Sequence, residues 1–256
     1  PNHYKKNYFE QHLDIFSELS SLYIKNDQPQ FLLESLERRR VKNVVERLGP
    51  SNQYTNEMYS LDDFIESLGE DEVVLYYSII GDFYNNYGFE NYYLISLSHD
   101  SINVTTISGT LISKRALETG IVHPDSRDIN KLARVSGIKH DVPNISSAIN
   151  FYKFYLKNNM PEAEQLSKIL YEVLLSPIEN DFKTKTKITI IPDLHLSTLP
   201  FETLINDRGV YFGEDKDIKY GHSIVVLNDL KKRTYNTTNN KSILAFGGAV
   251  YSEDIY

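Results

Sequence analysis

The sequence predicts an α/β protein, in which a helical hairpin precedes a mixed sheet that is flanked by helices. Apolar residues recur at helical spacing over the first 50 residues. From residue 60 onward, short runs rich in β-branched and aromatic residues alternate with further helical patterns. Because a sheet must cover its apolar faces, this alternation indicates that the helices pack on the sheet.

The hairpin is predicted from two amphipathic patterns that the turn Asp27-Gln28-Pro29 separates. One face of the first helix is apolar, at Phe9, Leu13, Phe16 and Leu19. The second helix is predicted over residues 30–48, with the basic run Arg38, Arg39 and Arg40 facing solvent. Its core side is expected to contain Leu32, Leu36, Val44, Val45 and Leu48. Such a hairpin cannot bury both apolar faces alone, so it must pack on the rest of the chain or on upstream helices.

The first strands are predicted as an antiparallel meander. Ser60 is the expected N-cap of a short helix that ends at Gly69. A near-continuous apolar run over residues 73–80 predicts a buried strand, and residues 81–90 form a polar turn. Two more strands, over residues 92–97 and 102–107, flank a tight turn.

The middle of the chain is predicted to be helical. Residues 111–117 and 145–156 have helical patterns, and the polar stretch 118–144 between them is expected to be a loop. Pro161 is expected at the start of another helix, whose apolar stripe continues to Leu174.

The last third is predicted to return to strands. Residues 188–191 and 224–227 are expected to be strands, with a short helix over 200–204 between them. A polar linker over residues 231–241 precedes a final strand over 243–246, which Gly247 and Gly248 follow. Because a lone strand cannot form a domain, this last strand either docks on the preceding sheet or opens a second one.

Composition excludes several function classes. The net charge of −8 argues against a protein that grips nucleic acid through its phosphates. The absence of cysteine excludes disulfides, thiolate metal sites and a cysteine nucleophile within these 256 residues. No apolar run is long enough to span a membrane, so we expect a cytoplasmic protein without a membrane partner.

The densest motif is the stretch IIPDLHLSTLPFETL at residues 190–204. Pro192 ends strand pairing, and Asp193 is suited to accept hydrogen bonds from loop amides. Pro200 suits the first turn of a helix, near whose positive end Glu202 lies. The apolar anchors are Leu196, Leu199, Phe201 and Leu204. The stretch therefore predicts a well-defined corner from strand to loop to helix.

This stretch resembles the PDG-x-L-x-x-LPFE-x-L block of the CHAT domain, the caspase-like domain that follows TPR repeats. Leu194 stands where that family usually has glycine, so the turn after Asp193 is expected to differ; Gly213 and Ala249 also depart from the pattern. Four other stretches resemble the family in its order: residues 34–48 (the last repeat helix), 61–77 (entry into the first strand), 211–223, and 243–249 (the first strand of the peptidase core).

The resemblance implies a division into three parts: residues 1–50 as the end of a TPR-like array, 60–230 as an inert caspase-like half, and 242–256 as the first strand of a peptidase core. In the family, a histidine and a cysteine beyond that strand form the catalytic pair. The resemblance thus implies no catalytic residue, cofactor or metal in this chain, which alone should be inactive. Its expected partners are its own catalytic half, upstream TPR-like helices and an unknown protein.

Other sites receive weaker support from the sequence. Asp193, His195 and Glu202 could be drawn as a metal site, because a carboxylate and an imidazole flank the turn. A third ligand at fixed spacing is lacking, and capping roles account for both acids. Ser223 is not in a glycine-flanked nucleophile elbow, and Gly247-Gly248 is too short a signal for phosphate binding. The remaining histidines are expected to be surface or hydrogen-bonded groups: His99, His123, His140 and His222.

Three functions remain open from the sequence. The first is the non-catalytic N-terminal portion of a CHAT-type cysteine endopeptidase, which links repeat-based sensing of a partner to a catalytic half. The second is a catalytically dead scaffold that binds proteins. The third is an unrelated α/β domain that binds a ligand at the glycine turn.

Overall fold

The computed structural model describes residues 18–48, 60–80, 91–108 and 145–232, together with Leu111, Lys114, Arg115 and Glu118. No helix in these ranges has both the length and the apolarity that crossing a membrane requires.

The predicted N-terminal hairpin is present. Helix α1 is described over residues 18–25, and helix α2 extends over Pro29–Leu48. Between them the chain reverses at Asp27, whose φ of 51° is left-handed, a conformation that Asp tolerates better than most residues. The predicted core positions Leu32 and Leu36 are fully buried, as is Leu33. Helix α2 therefore packs its apolar side on the rest of the chain.

The predicted mixed sheet has five strands in the order β3-β2-β1-β4-β5. Their bounds are Glu72–Ile80 (β1), Asn91–Ser98 (β2), Ser101–Ser108 (β3), Lys187–Ile191 (β4) and Asp217–Tyr220 (β5). Strands β1, β2 and β3 form the predicted antiparallel meander. Strands β1, β4 and β5 run parallel, so their carboxyl ends lie at one edge.

One face of the sheet is covered by helices α4 (Ile145–Lys157) and α5 (Glu162–Leu174). A short helical segment follows, Ser176–Ile178 and then α6 (Glu179–Phe182). The buried hydroxyl of Tyr77 on β1 donates a hydrogen bond of 2.9 Å to the carbonyl oxygen of Leu174. This contact satisfies a carbonyl at the end of α5 that has no partner within its own helix.

The opposite face is covered by α2, by α3 (Leu61–Glu66) and by α7 (Ile224–Lys232). The side chain of Ser60 accepts a hydrogen bond from the amide of Asp63, so the predicted N-cap of α3 is confirmed. The two cores lie on opposite faces because alternate residues of β1 point to opposite sides, with Leu75 in one core and Tyr76 in the other.

The prediction of a strand over residues 224–227 is wrong, because this segment opens helix α7. The Ser223 hydroxyl accepts a hydrogen bond of 3.1 Å from the amide of Val226, which is an N-capping contact. The run Ile-Val-Val resembles a strand locally, but only Ile224 is fully buried. The structure instead has strand β5 at residues 217–220, where the mostly exposed, charged sequence shows no apolar alternation.

Leu111, Lys114 and Arg115 are helical, in agreement with the predicted helix over 111–117. Glu118, the first residue of the predicted loop over 118–144, is helical as well. Other predictions lie outside the described residues: the apolar positions Phe9, Leu13 and Phe16, the loop over 81–90, the rest of the loop over 118–144, and the strand over 243–246.

Candidate functional site

The candidate site lies where the parallel strands β1, β4 and β5 reach their carboxyl ends. Pro192 and Asp193 directly follow β4, and His222 lies just beyond β5. Because β1 pairs with β4 up to Tyr76, its next residues extend past the end of β4. Crevices at this edge are the usual binding places of open α/β sheets. In this protein, polar side chains from α2 occupy this edge of the sheet.

Asp193 shapes the corner after β4. Its carboxylate accepts a hydrogen bond of 3.1 Å from the amide of Leu194, as the sequence predicts for a loop acceptor. Leu194 has a φ of 42°, which is the left-handed conformation that glycine adopts most easily. The turn is therefore one that suits glycine, and a leucine that is 45% exposed occupies it at a cost in backbone strain.

The apolar part of the motif fixes this corner on the sheet. Leu196 and Leu199 are buried beneath it, and the Phe201 ring lies 5.3 Å from the Tyr77 ring on β1. Pro200 accepts a hydrogen bond of 2.7 Å at its carbonyl oxygen from the Thr203 hydroxyl. The predicted helix over 200–204 is a single 3-10 turn, Phe201–Thr203.

Glu202 is exposed and bound from strand β5. Its carboxylate accepts a hydrogen bond of 2.5 Å from the Tyr220 hydroxyl, which itself accepts one of 3.1 Å from the amide of Phe201. Gly213 donates its amide to the Glu202 carbonyl at 3.0 Å, and a Cβ at Gly213 would lie 2.7 Å from Cβ of Glu202. Close backbone approach therefore requires glycine at position 213.

Arg39 joins α2 to this corner. One terminal nitrogen, Nη2, lies 3.3 Å from Oδ2 of Asp193 and donates a hydrogen bond of 3.0 Å to the Ser78 hydroxyl. The Arg39 side chain is 15% exposed and that of Asp193 is 19% exposed. Water screens such a pair less than it screens a surface ion pair, so the contact is stronger than most surface salt bridges.

Arg40 binds backbone carbonyl oxygens from three segments that meet at the edge. Its Nη1 donates to the carbonyl oxygens of Pro192 at 3.0 Å and of His222 at 3.2 Å, and its Nη2 donates to that of Tyr77. The guanidinium also lies 4.4 Å from the centre of the Tyr76 ring, where a cation–π attraction contributes. One side chain thus bonds to a residue within β1 and to residues that follow β4 and β5.

The prediction that the arginines of α2 face solvent is wrong for two of the three. Arg38 is 63% exposed, but Arg39 and Arg40 are 15% and 11% exposed. The reason is that both guanidinium groups find carboxylate, hydroxyl and carbonyl acceptors at the sheet edge, while their aliphatic stems cross the protein surface.

A buried carboxyl and a buried phenol lie next to these arginines. Glu37 is 0% exposed, and its Oε2 accepts a hydrogen bond of 3.0 Å from the amide of Val225 at the start of α7. Burial raises the pKa of Glu37 to about 7, although the Val225 amide and the Arg40 charge oppose the rise. Burial also raises the pKa of Tyr76 well above its usual value, and the nearby Glu37 carboxyl adds to that rise.

These groups form a structural junction, and metal binding finds no support there. Asp193 bonds to Arg39, and Glu202 bonds to Tyr220. Over the ranges that the structure describes, no three His, Cys, Asp or Glu side chains are grouped so that they could hold a metal ion. His195 itself is exposed.

Residues 164–254 match the family model of the CHAT domain. The resemblance to the CHAT domain is confirmed over this segment. The match begins within α5 and contains the Pro192–Glu202 motif, β5 and α7. No curated protein matches the chain. The CHAT segment therefore supplies Asp193 and the Val225 amide, while Glu37, Arg39 and Arg40 come from a helix outside it.

The sequence of α2 contains a signal for this junction. Glu37 and Arg40 stand four and seven residues after Leu33, so they lie on the apolar face of the helix. Charged side chains on such a face indicate buried partners. Which partners they meet depends on residues more than 150 positions away, as with the bond from Arg40 to Pro192.

Proposed function

We propose that this chain is the non-catalytic N-terminal portion of a CHAT-type, caspase-like cysteine endopeptidase. In this proposal the helical hairpin joins an array of TPR-like helices, and the sheet supports a catalytic half. The observation that supports this proposal is that the segment matching the CHAT domain contains Asp193, to which Arg39 of α2 donates a hydrogen bond. A movement of the repeats on partner binding would thus be transmitted through α2 to the edge of the sheet.

The physical basis of this transmission is the double attachment of α2. Its first half is held to the sheet by Leu32, Leu33 and Leu36, which are fully buried. Its middle is held by Arg39 and Arg40, whose acceptors are directional. A displacement of α2 must break these hydrogen bonds or move the strand ends with it. Packed elements with discrete arrangements are the usual carriers of such coupling.

Because the chain has no cysteine, the nucleophile of the proposed peptidase would have to lie outside these 256 residues. The 256-residue protein is expected to cleave no peptide panel above background and to remain unlabelled by cysteine-directed inhibitors. In the natural gene, the frame after Tyr256 is expected to encode a strand that ends in His-Gly and a later strand that ends in cysteine.

The test is to read that frame and to express the continuous protein. A stop codon directly after Tyr256 would contradict the proposal. A continuation without the histidine and cysteine would support instead a catalytically dead interaction scaffold. With the pair present, replacement of the continuation's cysteine by alanine must abolish peptide cleavage, and Arg39→Met must change how repeat-bound partners alter that cleavage.

A further inference from the structure

Glu37 connects three elements through its buried carboxyl. It lies on α2, it faces Tyr76 on β1, and it accepts the Val225 amide hydrogen at the start of α7. The first-turn amides of a helix have no partner inside the helix, so they need an acceptor from outside. Ser223 supplies one acceptor to α7, and Glu37 supplies the second from 188 positions earlier in the chain.

The other carboxyl oxygen of Glu37, Oε1, makes no well-formed hydrogen bond to a described residue, and neither does the Tyr76 hydroxyl. That hydroxyl is nevertheless close enough to the carboxyl to oppose the rise of the Glu37 pKa. Burying a charged carboxylate away from water is costly, whereas burying the neutral carboxyl costs much less. The geometry therefore favours the neutral acid while α2 is docked.

Groups of both signs surround this carboxyl. Arg40 approaches it from α2 itself, and Tyr76 approaches from β1. Beyond Tyr76 lie Arg39 on α2 and Asp193 on the loop after β4. On the side of α7, the neighbouring titratable residue is His222, whose side chain is exposed and whose carbonyl oxygen binds Arg40. The Arg40 charge and the Val225 amide favour the charged form of Glu37, and its burial opposes them more strongly.

We propose that Glu37 is a proton-controlled latch, which holds α2 against the first turn of α7 when neutral and weakens that docking when it ionises. A docked Glu37 keeps its proton, and an undocked Glu37 is solvated and loses it at moderately acidic pH. Docking therefore takes up a proton, and raising the pH favours release of the hairpin. This inference holds whether or not the chain continues into a peptidase.

The direction of the pH effect follows from linkage. The docked form binds the proton more tightly than the undocked form, so docking is strongest below the ordinary pKa of a glutamate. This stabilisation of the docked form is lost as the pH rises through the pKa of docked Glu37, which is about 7. Between these limits the docking equilibrium changes by up to about tenfold for each pH unit.

The test uses a single introduced thiol, since the natural chain has none. Ser35 on α2 is buried, and its hydroxyl has no hydrogen-bond partner among the described residues, so Ser35→Cys removes no hydrogen bond that the structure shows. The rate of thiol labelling is measured in native and urea-unfolded protein at each pH, and their ratio gives the protection. From about pH 5 to about pH 8 we expect protection to fall on the order of 50-fold.

Three controls decide the assignment. In the Ser35→Cys background, Glu37→Gln is expected to flatten the pH profile at high protection, because the amide keeps an acceptor for Val225. Glu34→Gln, on the same helix and partly exposed, is expected to keep the fall. The protection of a thiol at Ser147→Cys, a buried position of α4 next to the core residue Ala148 on the opposite face, is expected to change much less.

Three results would overturn the latch. One is a protection at Ser35→Cys that does not vary with pH. Another is an unchanged fall in Glu37→Gln, which would assign the titration to a group other than Glu37. The third is an equal fall at Ser147→Cys, which would mean that the whole protein opens. Far-UV circular dichroism of each variant checks that it is folded, and Glu37→Met serves as a second variant if the glutamine does not fold.

Discussion

Replacement of single arginines in the run Arg38, Arg39 and Arg40 tests the junction most simply, because the three have one chemistry and different surroundings. In Arg40→Met, the carbonyl oxygens of Tyr77, Pro192 and His222 lose their donor. At about 1 kcal/mol or more for each carbonyl, plus about 0.5–1 kcal/mol for the contact with the Tyr76 ring, we expect a loss of about 3–4 kcal/mol. Methionine keeps the helix propensity and the aliphatic stem, so the loss reports on the guanidinium.

The assay is urea unfolding at about pH 7.5, followed by tyrosine fluorescence and far-UV circular dichroism. Arg38→Met is the matched control, and because Arg38 is mostly exposed we expect its free energy of unfolding to change by less than about 0.5 kcal/mol. If Arg40→Met destabilised the protein no more than Arg38→Met does, the bonds from Arg40 to the sheet edge would not support the fold, and the reasoning would be refuted.

Three further substitutions test the motif and its surroundings by the same unfolding measurement. Leu194→Gly should stabilise the protein by about 0.5–1 kcal/mol, since glycine relieves the left-handed strain at the φ of 42° but loses more chain entropy; a destabilised variant would show that the leucine side chain matters more. Gly213→Ala should cost about 1–3 kcal/mol, because its Cβ would lie 2.7 Å from Cβ of Glu202, and a neutral result would mean that this backbone contact is loose. Tyr77→Phe should cost about 1–2 kcal/mol by leaving the carbonyl of Leu174 without its donor, and stability equal to the parent would argue that water replaces the hydroxyl.

The elements with strong apolar periodicity were predictable from the sequence. Strand β1 and helix α5 have patterns that only one type of element fits, and the structure places both where the sequence indicates. Helix α2 begins one residue before its predicted start. Each of these patterns is local, and local patterns are what a single sequence contains.

Strand β5 was not predicted, and helix α7 was predicted as a strand, because tertiary contacts override their local preferences. Strand β5 is held by pairing with β4 on an exposed edge, which needs no apolar alternation. Helix α7 begins with three β-branched residues, and external capping by Ser223 and Glu37 stabilises its first turn. Neither contact partner is visible in the segment's own sequence.

The motif at residues 190–204 was predicted from the sequence, but its contact with α2 was not. The positions of Asp193 and Phe201 followed from the corner that the residues predict. The contact of Asp193 with Arg39 joins residues that are 154 positions apart, and a basic run on a helix is more often solvated. Only the placement of Glu37 and Arg40 on the apolar helix face pointed to burial.

The central claim is that α2 is attached to the CHAT motif through Arg39 and Asp193, and a double-mutant cycle measures this attachment directly. Arg39→Met, Asp193→Asn and their combination are compared by urea unfolding, with Asn chosen because its side-chain oxygen keeps the acceptor for the Leu194 amide. We expect a coupling free energy of about 1–2 kcal/mol, and a coupling near zero for Arg38→Met with Asp193→Asn. Additive effects of Arg39→Met and Asp193→Asn, within about 0.3 kcal/mol, would contradict the claim.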